Sequence, residues 1–136
     1  MTNYKSKITQ INRPVTDVFL QFSDLSKLEK FKNQSQEFNN QNITFSQDKI
    51  SINIAPLGDV FLKIVETELN SRIKFAFENI PVTAFMWINL KEKTENSTDL
   101  QITAEADIPF FLKHLIGGKI QEGIDIIAEN ITKLMF

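Results

Sequence analysis

The sequence predicts one α+β domain over residues 1–136, in which an antiparallel sheet packs on one long C-terminal helix. Two patterns indicate this fold class. Apolar and polar residues alternate with a period of two through much of the region from 43 to 108, which is typical of strands with one covered face. Isoleucines at helical spacing follow Pro109. Because the sheet face and the helix stripe each need an apolar partner, we expect them to cover each other.

The N-terminal third is predicted to hold a strand and two short helices. The strand runs from Tyr4 to Ile11. Pro14 suits the first position of a helix, since its missing N–H matters least there. Ser23-Asp24 can end this helix and cap a second one. The two apolar faces are Val15, Phe19 and Phe22, and Leu25, Leu28 and Phe31. The Asn/Gln-rich residues 33–42 are predicted to form a loop.

The middle of the chain is predicted to be a meander of strands. Turn residues at 47–48, 57–59, 70–71, 79–81 and 95–97 separate the alternating runs, and such short connections join neighbouring strands. The inward-facing apolar residues of these runs are Ile50, Ile52 and Ile54; Ile73, Phe75 and Phe77; Met86, Ile88 and Leu90; and Leu100, Ile102, Ala104 and Ala106.

The C-terminal segment after Pro109 is predicted to be a helix of ~25 residues, or ~37 Å. Its apolar stripe spans an arc of ~80°. The stripe consists of Ile116, Ile120, Ile124, Ile127, Ile131 and Leu134.

Composition excludes several kinds of site. The chain has no Cys and one His, so it offers neither disulfides nor an ordinary zinc site. With 15 basic and 17 acidic side chains and few Arg, it lacks the clustered cations of a nucleic-acid surface. We expect no cofactor, no metal and no stable membrane insertion. No secretory or bilayer-spanning apolar run is present, so we expect a cytoplasmic protein. The oligomeric state stays open.

Four segments carry a resemblance to a known superfamily. They are Ile8–Phe19 with its Pro-Val-x-x-Val-Phe wording, Phe22–Phe31, Trp87–Lys93 and Leu100–Pro109. Together with the order of elements, they make the chain resemble the START-like helix-grip proteins (the Bet v 1-like, or SRPBCC, superfamily). The glycine-rich loop of the plant members is missing, since residues 55–59 hold one Gly.

This resemblance implies a curved sheet around the long helix, often with an apolar cavity between them. Members of the superfamily bind lipids, sterols, quinones or polyketides, and some act as cyclases. The residues that we expect to line such a cavity here are Phe75, Phe77, Ile88, Ile102, Ala104, Gly117, Ile120 and Ile124.

Glu66 is the one candidate for a catalytic acid. If Leu62 and Ile64 face inward, the two-residue period of a strand directs Glu66 inward as well. Burial there would perturb the pKa of its carboxyl group. The alternative, which we favour, is that the strand bulges or ends there and leaves Glu66 in water. His114 lies far from the isoleucine stripe on the helical wheel, so we expect it to face solvent or the helix rim.

Glycines inside the long helix also require an explanation, because each lowers the stability of the helix by ~0.5–1 kcal/mol relative to Ala. Either the helix backbone packs closely there, or the missing side chains leave room for a ligand. We expect close packing at Gly123 and a cavity nearer Gly117.

Three functions remain open. The first is binding or transport of a small hydrophobic or amphipathic ligand between sheet and helix, without catalysis. The second is an enzyme of the polyketide cyclase or aromatase type. The third is an interaction module with a filled core.

Overall fold

A computed structural model describes residues 1–26, 43–54 and 58–135. The predicted loop at 33–42 and most of the predicted second helix lie outside these ranges. Its start is described: Leu25 is buried, and the Asp24 carboxylate accepts hydrogen bonds from the Ser26 N–H and hydroxyl. The side chains of Ile131 and Leu134 also lie outside the described part.

The N-terminal strand is interrupted, so the prediction of one strand from Tyr4 to Ile11 is wrong. Strand β1 covers Thr2–Lys5 and strand β2 covers Thr9–Ile11. Between them the buried Ser6 turns its hydroxyl toward β8 (Ser97–Asp107), where it accepts a hydrogen bond from the Ile102 N–H at 2.9 Å. A side chain therefore takes the place of a backbone acceptor, and the chain bends.

Helix α1 covers Val15–Ser23 and begins one residue later than predicted. Pro14 is the residue that flanks it, and the Pro14 carbonyl accepts hydrogen bonds from the N–H groups of Asp17 and Val18. The helix buries Val15, Val18, Phe19 and Phe22. This face packs on the central strands of the sheet.

The meander has the predicted order. Its strands are β3 (Ile43–Phe45), β4 (Lys49–Ile54), β5 (Gly58–Glu68), β6 (Arg72–Glu78), β7 (Thr83–Thr94) and β8. Asn70 and Asn79 take positive φ in the turns that flank β6, a conformation that Asn tolerates better than most residues.

In the described residues all strands form one antiparallel sheet, in the order β1-β8-β7-β6-β5-β4-β3, with β2 following β1 along the edge of β8. Burial alternates from Thr83 to Leu90 in β7 and from Thr98 to Asp107 in β8. One face, which we call the inner face, carries the apolar residues and is covered by helices. The other, the outer face, meets solvent.

The chain then passes through a 3-10 turn (Phe110–Leu112) into helix α2, Lys113–Met135. Its 23 residues give a length of about 34 Å, close to the predicted length. Ile116, Ile120, Ile124 and Ala128 are buried, and the helix packs mainly on β1, β2 and β8. The predicted α+β architecture is confirmed.

Candidate functional site

The inner face brings the predicted pocket residues together. Six of the eight are buried within one continuous apolar cluster, and Phe77 and Gly117 are half-buried beside it. The six are Phe75, Ile88, Ile102, Ala104, Ile120 and Ile124. The strand residues stand at alternate positions, and the helix residues stand four positions apart in α2. Both spacings are visible in the sequence, which is why it could predict these residues.

Helix α2 is attached along one side of this face. The Gln121 side chain donates a hydrogen bond to the Lys5 carbonyl at 3.0 Å, and the Thr9 hydroxyl donates one to the Ala128 carbonyl at 3.4 Å. Both contacts hold the helix against β1 and β2. Toward the opposite edge of the same inner face, four inward side chains of β3 to β6 are less covered by the helices. Phe45, Ile52, Ile64 and Phe77 are only partly buried.

The glycines of α2 differ from the sequence prediction. A Cβ placed on Gly117 would meet the Tyr4 hydroxyl at 3.5 Å, an ordinary van der Waals contact. A Cβ placed on Gly123 would meet nothing within 4 Å. The expected close packing at Gly123 is therefore wrong: the open space lies beside Gly123, and a tyrosine occupies the space beside Gly117.

Gly123 lies on the flank of α2 that turns toward the sheet. It stands three residues after Ile120 and four before Ile127, which places all three on one side of the helix. Ile120 is buried, and Ile127 packs partly buried against the core. Gly123 itself is half-buried, so the open space beside it lies at the edge of the apolar side of the helix.

Tyr4 is the polar group that the sequence analysis did not single out here. It lies on β1 and packs half-buried against the core, with its hydroxyl oxygen beside Gly117. Burial raises the pKa of the Tyr4 phenol, because the charged phenolate is poorly solvated there. Nothing in the local sequence marks it, since its position depends on a helix more than a hundred residues away.

Glu66 lies on the outer face, as the favoured alternative expects. The register between β5 and β6 shifts between Ile64 and Glu66, so Val65 forms a bulge. A one-residue shift moves every later side chain to the opposite face. Glu66 is paired with Lys74 across the strands, with 3.8 Å between Oε2 and Nζ, and its side chain is 73% exposed. The cyclase-like alternative thereby loses its nominated acid.

The outer face near this bulge carries a second group of side chains. Lys74 Nζ lies 4.5 Å from the ring centroid of Phe85 and 5.5 Å from that of Trp87. A depression of about 220 Å³ adjoins it, lined by Glu66, Thr67, Glu68, Arg72, Lys74 and Trp87. Its charges pair with one another, since Arg72 Nε also lies 3.2 Å from Glu68 Oε2. The lysine therefore covers two aromatic rings that face solvent, an arrangement that stabilises an outer surface.

The described part of the chain does not gather side chains that could hold a metal ion. His114 is exposed on α2, as predicted. No group of three His, Asp or Glu side chains is placed there to hold a metal ion. The buried polar residues among those described are Ser6, Ser97 and Thr98, none of them charged. No described helix combines the length and the apolar character needed to cross a bilayer.

The chain matches no protein-family model and no curated protein sequence. It does resemble solved structures along almost its whole length. Norcoclaurine synthase from Thalictrum flavum, in complex with dopamine and hydroxybenzaldehyde, has a TM-score of 0.70 and 10% identity, with 97% of this chain and 84% of that chain covered.

Two further structures agree. A START superfamily protein from Mycobacterium smegmatis has a TM-score of 0.55 and 12% identity, covering 96% of this chain and 99% of that one. An HSP90 activator from Plasmodium falciparum has a TM-score of 0.63 and 15% identity, covering 95% and 89%. Identities this low establish shared fold and nothing about activity. The sheet curved around one long C-terminal helix is the arrangement these proteins have in common with this chain.

Proposed function

We propose, from the premise that this chain has the START-like helix-grip fold, that it binds a small hydrophobic or amphipathic molecule between the inner face of the sheet and helix α2. The observation that carries this proposal is the gap beside Gly123. It lies beside a half-buried glycine at the edge of the apolar side of the helix, next to the buried Ile120 and Ile124, and no side-chain atom comes within 4 Å of the position of a Cβ there.

The surroundings of the gap support an apolar ligand. Gly123 is flanked by Ile120 and Ile127, and the partly buried inner side chains of β3 to β6 provide further apolar surface that a ligand could cover. Since no charged side chain is buried among the described residues, the part of the ligand that enters should be uncharged.

The related structures fit this class. Norcoclaurine synthase, which shares the fold, is seen with two small aromatic molecules, dopamine and hydroxybenzaldehyde. We carry over the ligand class alone, a small molecule with an apolar body. We propose no reaction for this chain.

The test compares Gly123→Leu with Gly123→Ala, using Nile red, a neutral apolar dye, as the probe. Leu should fill the gap and weaken dye binding about tenfold or more, because it occupies the ligand's volume. Its melting temperature should stay equal or rise, since replacing a helix-interior Gly recovers ~0.5–1 kcal/mol. Ala adds one methyl and should keep dye binding while gaining similar stability.

Two results would contradict the proposal. One is equal dye binding by wild type and Gly123→Leu. The other is a Leu variant destabilised by ~1–3 kcal/mol, the cost of overpacking a filled core. Native mass spectrometry of the purified protein gives an independent reading, because a co-purified apolar molecule should be present in wild type and depleted in Gly123→Leu.

A further inference from the structure

The turn between β8 and α2 exposes an unusual amount of apolar surface. Phe110 is 84% exposed and Phe111 is 76% exposed, and Leu115 on the next turn is 51% exposed. Two adjacent phenylalanines in water are unfavourable, because their exposed apolar surface forgoes the free energy that burial would provide. The core does not use them, so something else must account for their presentation.

The fold holds these rings outward by anchoring the chain on both sides. Ile108 is buried before the turn, and Leu112 packs partly buried against the core after it. The Leu112 N–H donates a hydrogen bond to the Pro109 carbonyl at 2.9 Å, which closes the turn. With both flanking apolar residues directed inward, the two rings between them project from the surface of a fixed turn.

The residues directly after the rings are basic, and one acidic residue flanks this segment on each side. Residues 108–121 contain Lys113, His114 and Lys119 and no acidic residue, a formal charge of +2 with neutral His, in a chain whose net charge is −2. Lys113 and His114 are exposed directly beside the rings. The acids closest along the chain are Asp107 before the turn and Glu122 on the helix. Asp59, at the start of β5, is exposed at the same end of the sheet.

The size and shape of the patch distinguish between partners. Two rings of about 150–250 Å² each fall well short of the ~800 Å² per partner that a stable protein interface needs. They project from a turn, so they offer little shape for a protein to match. A lipid interface requires no such match: it accepts aromatic side chains at headgroup depth, and anionic headgroups attract neighbouring lysines.

We propose that Phe110, Phe111 and Leu115, with Lys113 beside them, form a docking surface for an anionic lipid bilayer. The attachment is peripheral and reversible, through side chains that enter the headgroup region. This goes beyond the ligand-binding proposal and does not depend on it, since the surface would dock whether or not the inner face holds a ligand.

The experiment is co-sedimentation of the full chain with vesicles of phosphatidylcholine alone and of phosphatidylcholine mixed with phosphatidylserine. Wild type should bind the mixed vesicles more strongly, and added salt should weaken that binding. The double variant Phe110→Ser/Phe111→Ser should bind at least about tenfold more weakly. Lys113→Gln should lose about fivefold, the effect of one cation near an anionic surface.

Matched controls lie elsewhere on the same chain. Leu69 is 78% exposed in the turn between β5 and β6, at the opposite end of the sheet, so Leu69→Ser should bind vesicles like wild type. Lys91, exposed on β7, is the control for Lys113, and Lys91→Gln should also bind normally. Gly123→Leu should keep vesicle binding, and the double Phe variant should keep Nile red binding, so the two proposals can fail separately.

Three outcomes would overturn the docking surface. The first is that wild type stays in the supernatant with mixed vesicles. The second is that the double Phe variant sediments as well as wild type while showing the same melting temperature. The third is a wild-type dimer in sedimentation equilibrium that the double variant loses, with no vesicle binding by either, which would assign the rings to a second copy of this chain.

Discussion

Tyr4 shows how a single residue ties the two ends of the chain together. Its ring packs against the core from β1. Its hydroxyl lies beside α2 at Gly117, where the missing side chain leaves room for it. The cost of burial falls on the charged form, so the phenol holds its proton more firmly in the folded protein than in the unfolded chain.

This has a consequence for stability at high pH. Below the ordinary tyrosine pKa of 10.0, both states hold a neutral phenol and Tyr4 contributes its full packing energy. Above it, the unfolded chain loses its proton first, so stability falls as pH rises toward and through the raised pKa of the folded state. Wild type should therefore lose stability relative to Tyr4→Phe above about pH 10.

Denaturant unfolding of both proteins at neutral and alkaline pH measures this difference, because the lysines titrate equally in the two. Tyr4 is the one tyrosine of the sequence, so phenolate absorbance reports its pKa directly. A constant stability difference across the alkaline range would contradict the prediction.

Glu66 and Gly123 mark where sequence patterns stop being informative about single residues. The alternation of strand residues can be continued past Ile64 in the sequence, and no neighbouring residue distinguishes a regular strand from one with a bulge at Val65. A strand that bulges or ends before Glu66 is the interpretation that we favour from the sequence, but only the register between β5 and β6 decides between a bulge and a strand end. For Gly123, helical spacing gives its side of the helix but not what stands opposite, because that depends on how far α2 lies from the strands it faces.

At the scale of elements, the break between β1 and β2 depends on one serine. Ser6 is 4% exposed, and its N–H donates a hydrogen bond to the Ile102 carbonyl at 2.8 Å while its hydroxyl accepts one from the Ile102 N–H. The Ser6 carbonyl, displaced from the ladder, accepts a hydrogen bond from the Gln101 side chain at 2.9 Å. The N–H, carbonyl and hydroxyl groups of Ser6 are thus all hydrogen-bonded.

Ser6→Ala should destabilise the protein by ~1–3 kcal/mol, because the buried Ile102 N–H would lose its acceptor. Ser46→Ala is the control: the Ser46 hydroxyl also bonds a backbone carbonyl, that of Lys49, but in an exposed loop, so its loss should cost under ~0.5 kcal/mol. Thermal unfolding of the two variants compares them, and equal losses would show that the Ser6 hydroxyl does not hold the bend.

Most element boundaries from β3 to β8 were predictable, and the first strand was not, for a physical reason. In the meander, alternation and turn residues are both local signals, and each strand pairs with its neighbour in sequence. β1 and β2 instead pair with β8, roughly 90 to 100 residues further along the chain. The position of the break between them therefore depends on their register with β8, which no local pattern of the sequence shows. The apolar residues of the inner face were therefore predictable from the sequence, whereas the position of Tyr4 was not.

For the whole molecule, the sheet should open from one side. β8 pairs with β7 on one edge and with β1 and β2 on the other, and both α1 and α2 pack on it. Among the described strands, the three-residue β3 lies at the edge of the sheet and pairs with β4 alone. Stability within a protein is uneven, and edge elements open before central ones.

Amide hydrogen exchange measured by NMR should accordingly be slowest at Leu100, Ile102 and Ala104 and fastest, among strand amides, in β3. The same side of the sheet carries the partly buried Ile52 and Ile64, so a bound ligand should slow exchange in β4 and β5 more than in β8. Exchange in β3 as slow as in β8 would contradict this order.

The position of Trp87 decides whether ligand binding can be followed by tryptophan fluorescence. It is the one tryptophan of the sequence, and it stands on the outer face beside Phe85 and under the Lys74 ammonium, with the sheet between it and the gap at Gly123. Its emission therefore reports the electric field of that ammonium and the solvent around it, and not the polarity of the inner face. A molecule that enters beside Gly123 should leave the emission maximum of Trp87 almost unmoved, whereas Lys74→Met should shift it in the empty protein.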